Sequence, residues 1–168
     1  MLAVLYQWIK ISSSRKTTKA KIPPAIKEEV SVPASASLTL VPEKQIIKSG
    51  ESFLVTINFK TGDYKVDVVD AVLTFDPKIL AVEKISNGSF FADYPVKKWE
   101  EGKVILTGTI GTEGKQPGGV KGQGPLGSIT FKAKSSGSTD INFDQSSLVV
   151  TEGTNVLEET KGASFEIY

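Results

Sequence analysis

The feature that most limits the fold is a series of short stretches in which apolar residues recur at every second position. Residues 52–59 (SFLVTINF) put Phe53, Val55, Ile57 and Phe59 on one side. Residues 70–75 (DAVLTF) do the same with Ala71, Leu73 and Phe75. Side chains of a strand alternate between its two faces, so this period marks a half-buried strand. Residues 38–40, 79–85, 103–110, 126–134, 139–143, 148–151 and 163–168 continue the series, about nine strands in all. Ser49-Gly50-Glu51, Asp76-Pro77, Asn87-Gly88, Glu101-Gly102 and Ser136-Gly137-Ser138 punctuate them as turns. No segment after residue 37 sustains a helical period. Many short alternating strands with frequent turns predict an all-β, two-sheet sandwich over residues 37–168.

The chain begins differently. Residues 1–11 (MLAVLYQWIKI) are mostly apolar. As a helix they would reach roughly 16 Å, about half of a bilayer core. They read either as the end of a membrane anchor or as an ordinary apolar start. Residues 12–36 are rich in Ser, Thr, Lys and Pro without either period, and read as a flexible linker stiffened by Pro23, Pro24 and Pro33. Residues 1–36 carry six Lys/Arg and two Glu; residues 37–168 carry fourteen Lys/Arg and seventeen Asp/Glu. A slightly acidic body behind a basic tail is not a nucleic-acid-binding domain.

Chemistry is narrowed by what is missing. The chain has no cysteine and no histidine, which removes disulfides, thiolate metal sites and every Ser-His or Cys-His pair. Residues 108–127 (GTIGTEGKQPGGVKGQGPLG) hold eight of the fifteen glycines, and Gly114-Lys115 resembles the end of a phosphate loop. The required preceding glycine falls on Thr109, Gln116 follows the lysine, and Pro117 with Gly118-Gly119 blocks the helix that would hold phosphate. The stretch reads instead as a long accessible connection over residues 111–125. Glu100-Glu101 and Glu158-Glu159 are adjacent pairs that a strand would point apart, which argues against glycoside hydrolysis. Asp63, Asp67 and Asp70 are spaced by four and three without the pattern of an EF-hand; they read as a solvated loop, with a structural calcium as the alternative. Aromatic rings stack on sugars and anchor protein interfaces. Phe90 and Phe91 read as a plug at one end of the sandwich. Tyr64, Tyr94 and Trp99 are candidates for a carbohydrate-binding surface.

Three stretches resemble one family. Ser49-Gly50-Glu51-Ser52-Phe53-Leu54-Val55 is similar to the start of its second strand. Residues 70–82 (DAVLTFDPKILAV) are similar to its strand leading through Asp-Pro, and residues 124–134 (GPLGSITFKAK) to its long later strand. By order and spacing residues 37–168 resemble a cohesin domain, within the cohesin and carbohydrate-binding-module superfamily. The resemblance implies a nine-stranded jelly roll outside the cell that binds a dockerin module, without catalysis and without a cofactor. It implies attachment to the cell surface, through residues 1–11 where these are an anchor. In the family one flat sheet face docks the partner through the strand before Asp-Pro. Asp70, Val72 and Thr74 then become the expected contacts, while the family's neighbouring polar position is the apolar Val68 here. The alternatives are a surface polysaccharide bound by Tyr64, Tyr94 or Trp99, and a structural spacer.

Overall fold

In the computed structural model, residues 35–111 and 118–168 are described. The apolar segment 1–11, nearly all of the linker 12–36, and Gly114-Lys115 lie outside them. Among the described residues there is no helix, and thirteen strands form two facing sheets.

The first sheet runs β12 (Leu157–Lys161), β1 (Ala36–Val41), β3 (Ser52–Lys60), β8 (Gln123–Ala133), β5 (Leu80–Asn87). In the second, β6 (Asp93–Glu100) pairs with β7 (Lys103–Thr109), and β7 pairs with β4 (Val68–Thr74). On its other side β4 meets β10 (Leu148–Thr151) at one end and β9 (Gly137–Phe143) at the other. Beyond β9 lie β13 (Ala163–Ile167) and β2 (Lys44–Ile47), and β10 carries β11 (Thr154–Asn155).

Alternation builds the core as the sequence predicts. Val55, Ile57 and Phe59 of β3 face Val69, Ala71 and Leu73 of β4 in one continuous cluster with Leu106, Ile129 and Phe131. Each large aliphatic or aromatic side chain so buried contributes about 1.5–3 kcal/mol. Phe90 and Phe91 close one end: their rings lie 5.3 and 5.8 Å from Phe59, and Phe91 is 5% exposed. The turn expected at Asp76-Pro77 is closed by Asp76 itself, which accepts from Lys78 N at 2.8 Å through its side chain and from Leu80 N at 2.9 Å through its carbonyl.

Nine of the thirteen strands fall on the alternating runs; β2, β6, β11 and β12 do not. β6 (DYPVKKWE) contains Pro95 and the pair Lys97-Lys98, which spoil the apolar period. It is an edge strand, where Pro and Lys are tolerated because one side of the ladder is unpaired. The extra elements also arise because the chain changes sheets. Residues 42–43 carry it from β1 to β2 through a cis Val41–Pro42 peptide. Gly162 carries it from β12 to β13; a Cβ there would sit 2.5 Å from Ile141 O, so no side chain fits.

The glycine-rich connection is more tightly held than its composition suggests. Val66 and Val120 exchange two main-chain hydrogen bonds of 2.8 Å, and Gly122 is bonded to Thr61 by both its carbonyl and its N–H. Strand β8 already starts at Gln123, so the described end of the expected 111–125 connection, from Gly118 onward, leads directly into the first sheet.

Candidate partner-binding face

The outward face of β6, β7, β4 and β10 is set by register. In antiparallel pairs, directly opposite residues share a face. Asp70 lies between Thr107 of β7 and Leu148 of β10. Val68 lies between Thr109 and Val150, Val72 opposite Ile105, and Thr74 opposite Lys103. On β6, Val96 faces Thr107 and Lys98 faces Ile105. The intervening residues Val69, Ala71, Leu73, Val104 and Leu106 are all core, so this second set points away from the sandwich.

The outcome is a sheet face on which six of the twelve named positions are apolar. Val68, Val96, Ile105, Leu148 and Val150 are each half-buried among their neighbours. They surround one polar pair, in which Thr107 Oγ1 donates to Asp70 Oδ1. Thr107 is 8% exposed, whereas Asp70 remains half-buried. One carboxylate oxygen is thus committed within the chain, while Oδ2 accepts no hydrogen bond from the described residues and is open to a donor from outside. A carboxylate desolvated by a partner must be paired by that partner, which makes it a device for selecting register.

The three expected contacts differ. Asp70 and Thr74 are both partly exposed, and Thr74 Oγ1 donates to Asn142 O at 3.4 Å. Val72 is 5% exposed. Its outward side chain lies opposite Ile105, and its main chain is clamped by the turn of residues 144–147: its N–H donates to Ser147 Oγ, that hydroxyl donates back to its carbonyl, and Asp144 N donates to the same carbonyl. Val72 therefore supports the face rather than presenting contact area.

The aspartates considered for calcium are each engaged separately. Asp63 pairs with Lys121 at 3.8 Å, Asp67 Oδ2 accepts from Glu152 N at 2.8 Å, and Asp70 accepts from Thr107. Among the described residues no three acidic, histidine or cysteine side chains group as a metal site would need.

The three aromatic candidates do not form one platform. Tyr64 and Tyr94 are partly buried against the core. Tyr94 packs edge-on to Phe91 at 6.4 Å and its hydroxyl accepts from Phe91 N at 3.4 Å; burial raises its phenol above the ordinary value. Trp99, five residues further along β6, is 48% exposed. The apolar ring around Asp70 was not singled out by sequence reasoning. Its signal was present in the odd positions of residues 103–109 (KVILTGT), but only register says that Ile105 and Thr107 join Val68 and Asp70.

The sequence matches the cohesin domain family over residues 38–166. Among curated proteins none matches. Several solved structures share the fold. The sixth cohesin of scaffoldin B from Acetivibrio cellulolyticus, solved in complex with a dockerin, superposes with a TM-score of 0.66 at 15% identity, covering 80% of this chain and 99% of that one. The non-cellulosomal cohesin of the hyperthermophilic archaeon Archaeoglobus fulgidus gives 0.64 at 19% identity, covering 80% and 92%. A Clostridium thermocellum cohesin, also solved as a cohesin–dockerin complex, gives 0.63 at 18%, covering 80% and 94%. With two packed sheets in this strand order and a family match across nearly all of them, the chain belongs to the cohesin domain family.

Proposed function

We infer that this chain is a non-catalytic binding module that takes a dockerin-type protein on the outer face of β6, β7, β4 and β10. One observation carries the reading: five aliphatic side chains held half-buried on one sheet face, around a carboxylate with one oxygen already satisfied. Protein interfaces combine an apolar centre with a few polar groups that fix orientation. The solved cohesin–dockerin complexes among the structural relatives support the same class of partner. Asp70 is the orienting acceptor, Thr107 holds it, and Thr74 lies at the border. Val68 in place of a polar group shifts the balance of the face toward apolar contact, so the matching partner surface is apolar opposite Val68 and supplies a donor opposite Asp70. The module acts outside the cytoplasm, at the cell surface.

The test is calorimetry of the full chain against dockerin modules encoded by the same organism. Binding that weakens by about tenfold or more in Asp70→Ala, with an unchanged fold by circular dichroism, supports the reading. Equal affinity for the variant and the parent removes the face from the site. Fractionation of the source cells checks the location; recovery of the chain in the cytoplasm alone would contradict it.

A further inference from the structure

The two sheets leave a second site at their common border. Among the described residues β5 and β6 are edge strands, one from each sheet, and each pairs on one side only. Trp99 is opposite Val104, a core residue, so its ring is directed to the inner side of β6. It is nevertheless 48% exposed, because it overhangs the seam between the edges instead of entering the core. Below it is a cleft of about 360 Å³ with a floor of Phe75, Pro77, Leu80, Ala81 and Val82, and a rim of Glu100, Glu101 and Lys134.

The walls are tied in place. Phe75 N donates to Gly102 O at 3.0 Å, Lys134 N donates to Ile79 O at 2.7 Å, and Lys134 Nζ donates to Pro77 O at 2.7 Å. The cleft is therefore formed before any ligand arrives, and its walls need little reordering on binding. Its charges also balance. Glu100 is paired with Lys98 at 3.7 Å, and Glu101 and Lys134 are of opposite sign. An acidic or a cationic ligand gains little net attraction there. What remains is an exposed indole face, carboxylate acceptors and an ammonium with unspent donors. That set complements a ring with an apolar face and an edge of hydroxyls.

We propose that the Trp99 cleft is a binding site for a neutral sugar, one pyranose of a glycan chain stacking on the indole while Glu101 and Lys134 hold its hydroxyls. It lies on the inner side of β6, away from the outward face that holds Asp70, so it does not depend on the partner reading.

Trp99 and Trp8 are the chain's two tryptophans, and a Trp8→Phe chain makes Trp99 the single reporter. We expect its fluorescence to shift and saturate with cellohexaose, xylohexaose or maltohexaose, and not with polygalacturonate. Calorimetry on the same sugars should show binding lost in Trp99→Ala, retained but weaker in Trp99→Tyr, and weakened by about tenfold in Glu101→Gln. Glu101 is an exposed turn residue, so that variant separates lost binding from lost folding. Dockerin affinity should be the same in Glu101→Gln as in the parent. No saturable shift with any of the three sugars overturns the proposal. So does binding that survives in Trp99→Ala, or a response to tetramethylammonium with none to sugar, which would mark a cation site.

Discussion

The two outer faces of the sandwich are made of the same kind of strand and differ in what they show to water. On the first sheet, β1, β3 and β8 direct outward Ser37, Thr39, Thr56, Asn58, Ser128 and Thr130. On the second, the corresponding positions around Asp70 are Val68, Val96, Ile105, Leu148 and Val150. Hydroxyl side chains satisfy β-propensity and remain hydrated; branched aliphatics satisfy it equally and gain by being covered. The first face is thus finished as it stands, and the second is left with area to bury. The first face has its exceptions in Val41 and Leu54, 44% and 53% exposed, but each lies opposite a threonine, Thr56 and Thr130, and a few exposed apolar side chains are ordinary for a protein surface.

The sharpest way to break this contrast is to put a charge on each face. Leu148→Glu should weaken partner binding by more than about 2 kcal/mol, the size of a central interface residue. Thr130→Glu on the other face should leave it within about 0.5 kcal/mol. Calorimetry on both variants decides; equal losses would mean that the faces are not functionally distinct.

A somewhat smaller effect belongs to folding. Asp70→Ala deprives the nearly buried Thr107 hydroxyl of its acceptor, and a buried donor without a partner costs about 1–3 kcal/mol. Urea unfolding should show that loss, and the double variant Asp70→Ala with Thr107→Val should recover part of it. A stability unchanged by Asp70→Ala would mean that the pair is made only when the partner is bound.

The hairpin at the border of the apolar face carries the one described non-glycine residue with positive φ, Glu152 at 48°. Its N–H is held by Asp67 Oδ2, which keeps the turn closed despite the unfavourable backbone. Glu152→Asn should stabilise the chain by about 0.5–1 kcal/mol, since Asn adopts that conformation more readily. Thermal unfolding checks it, and a lower melting temperature would show that the glutamate side chain supports the hairpin.

The smallest effect is one of pH. The Asp144 carboxyl is lowered from its ordinary value, first by the Ser146 hydroxyl and then by the Ser146 N–H. A group lowered on folding contributes stability above its unfolded pKa, near about 4, and loses it as pH falls through the folded value. In Ser146→Ala the Asp144 titration followed by NMR should move upward. No movement would place the cause elsewhere.

Much of this architecture was legible in the sequence, and the reasons are local. Alternation in β3 and β4 and the capping of the Asp76 turn act within a few residues, so the residues themselves declare them. The face around Asp70 was legible only as one strand. Its other members come from β6, β7 and β10, and Thr107 is thirty-seven residues from Asp70; register between distant strands is decided by the whole core. Burial was the harder quantity. Val72 has an outward position and yet is covered, because the turn of residues 144–147 closes beside it. Tyr64 and Tyr94 have the composition of a binding surface and are used as packing. β6 was illegible as a strand because an edge accepts Pro95 and paired lysines, and with it went the position of Trp99.

The sheet-switching ends of the chain have a mechanical meaning. β1 pairs in parallel with β12, and β2 in parallel with β13. The first two and last two of the described strands therefore run side by side, one pair in each sheet. Tension applied between the two termini loads these ladders along their length, so their hydrogen bonds must give way together instead of opening one after another from an end. The face proposed for the partner uses β6, β7, β4 and β10, none of which belongs to either ladder.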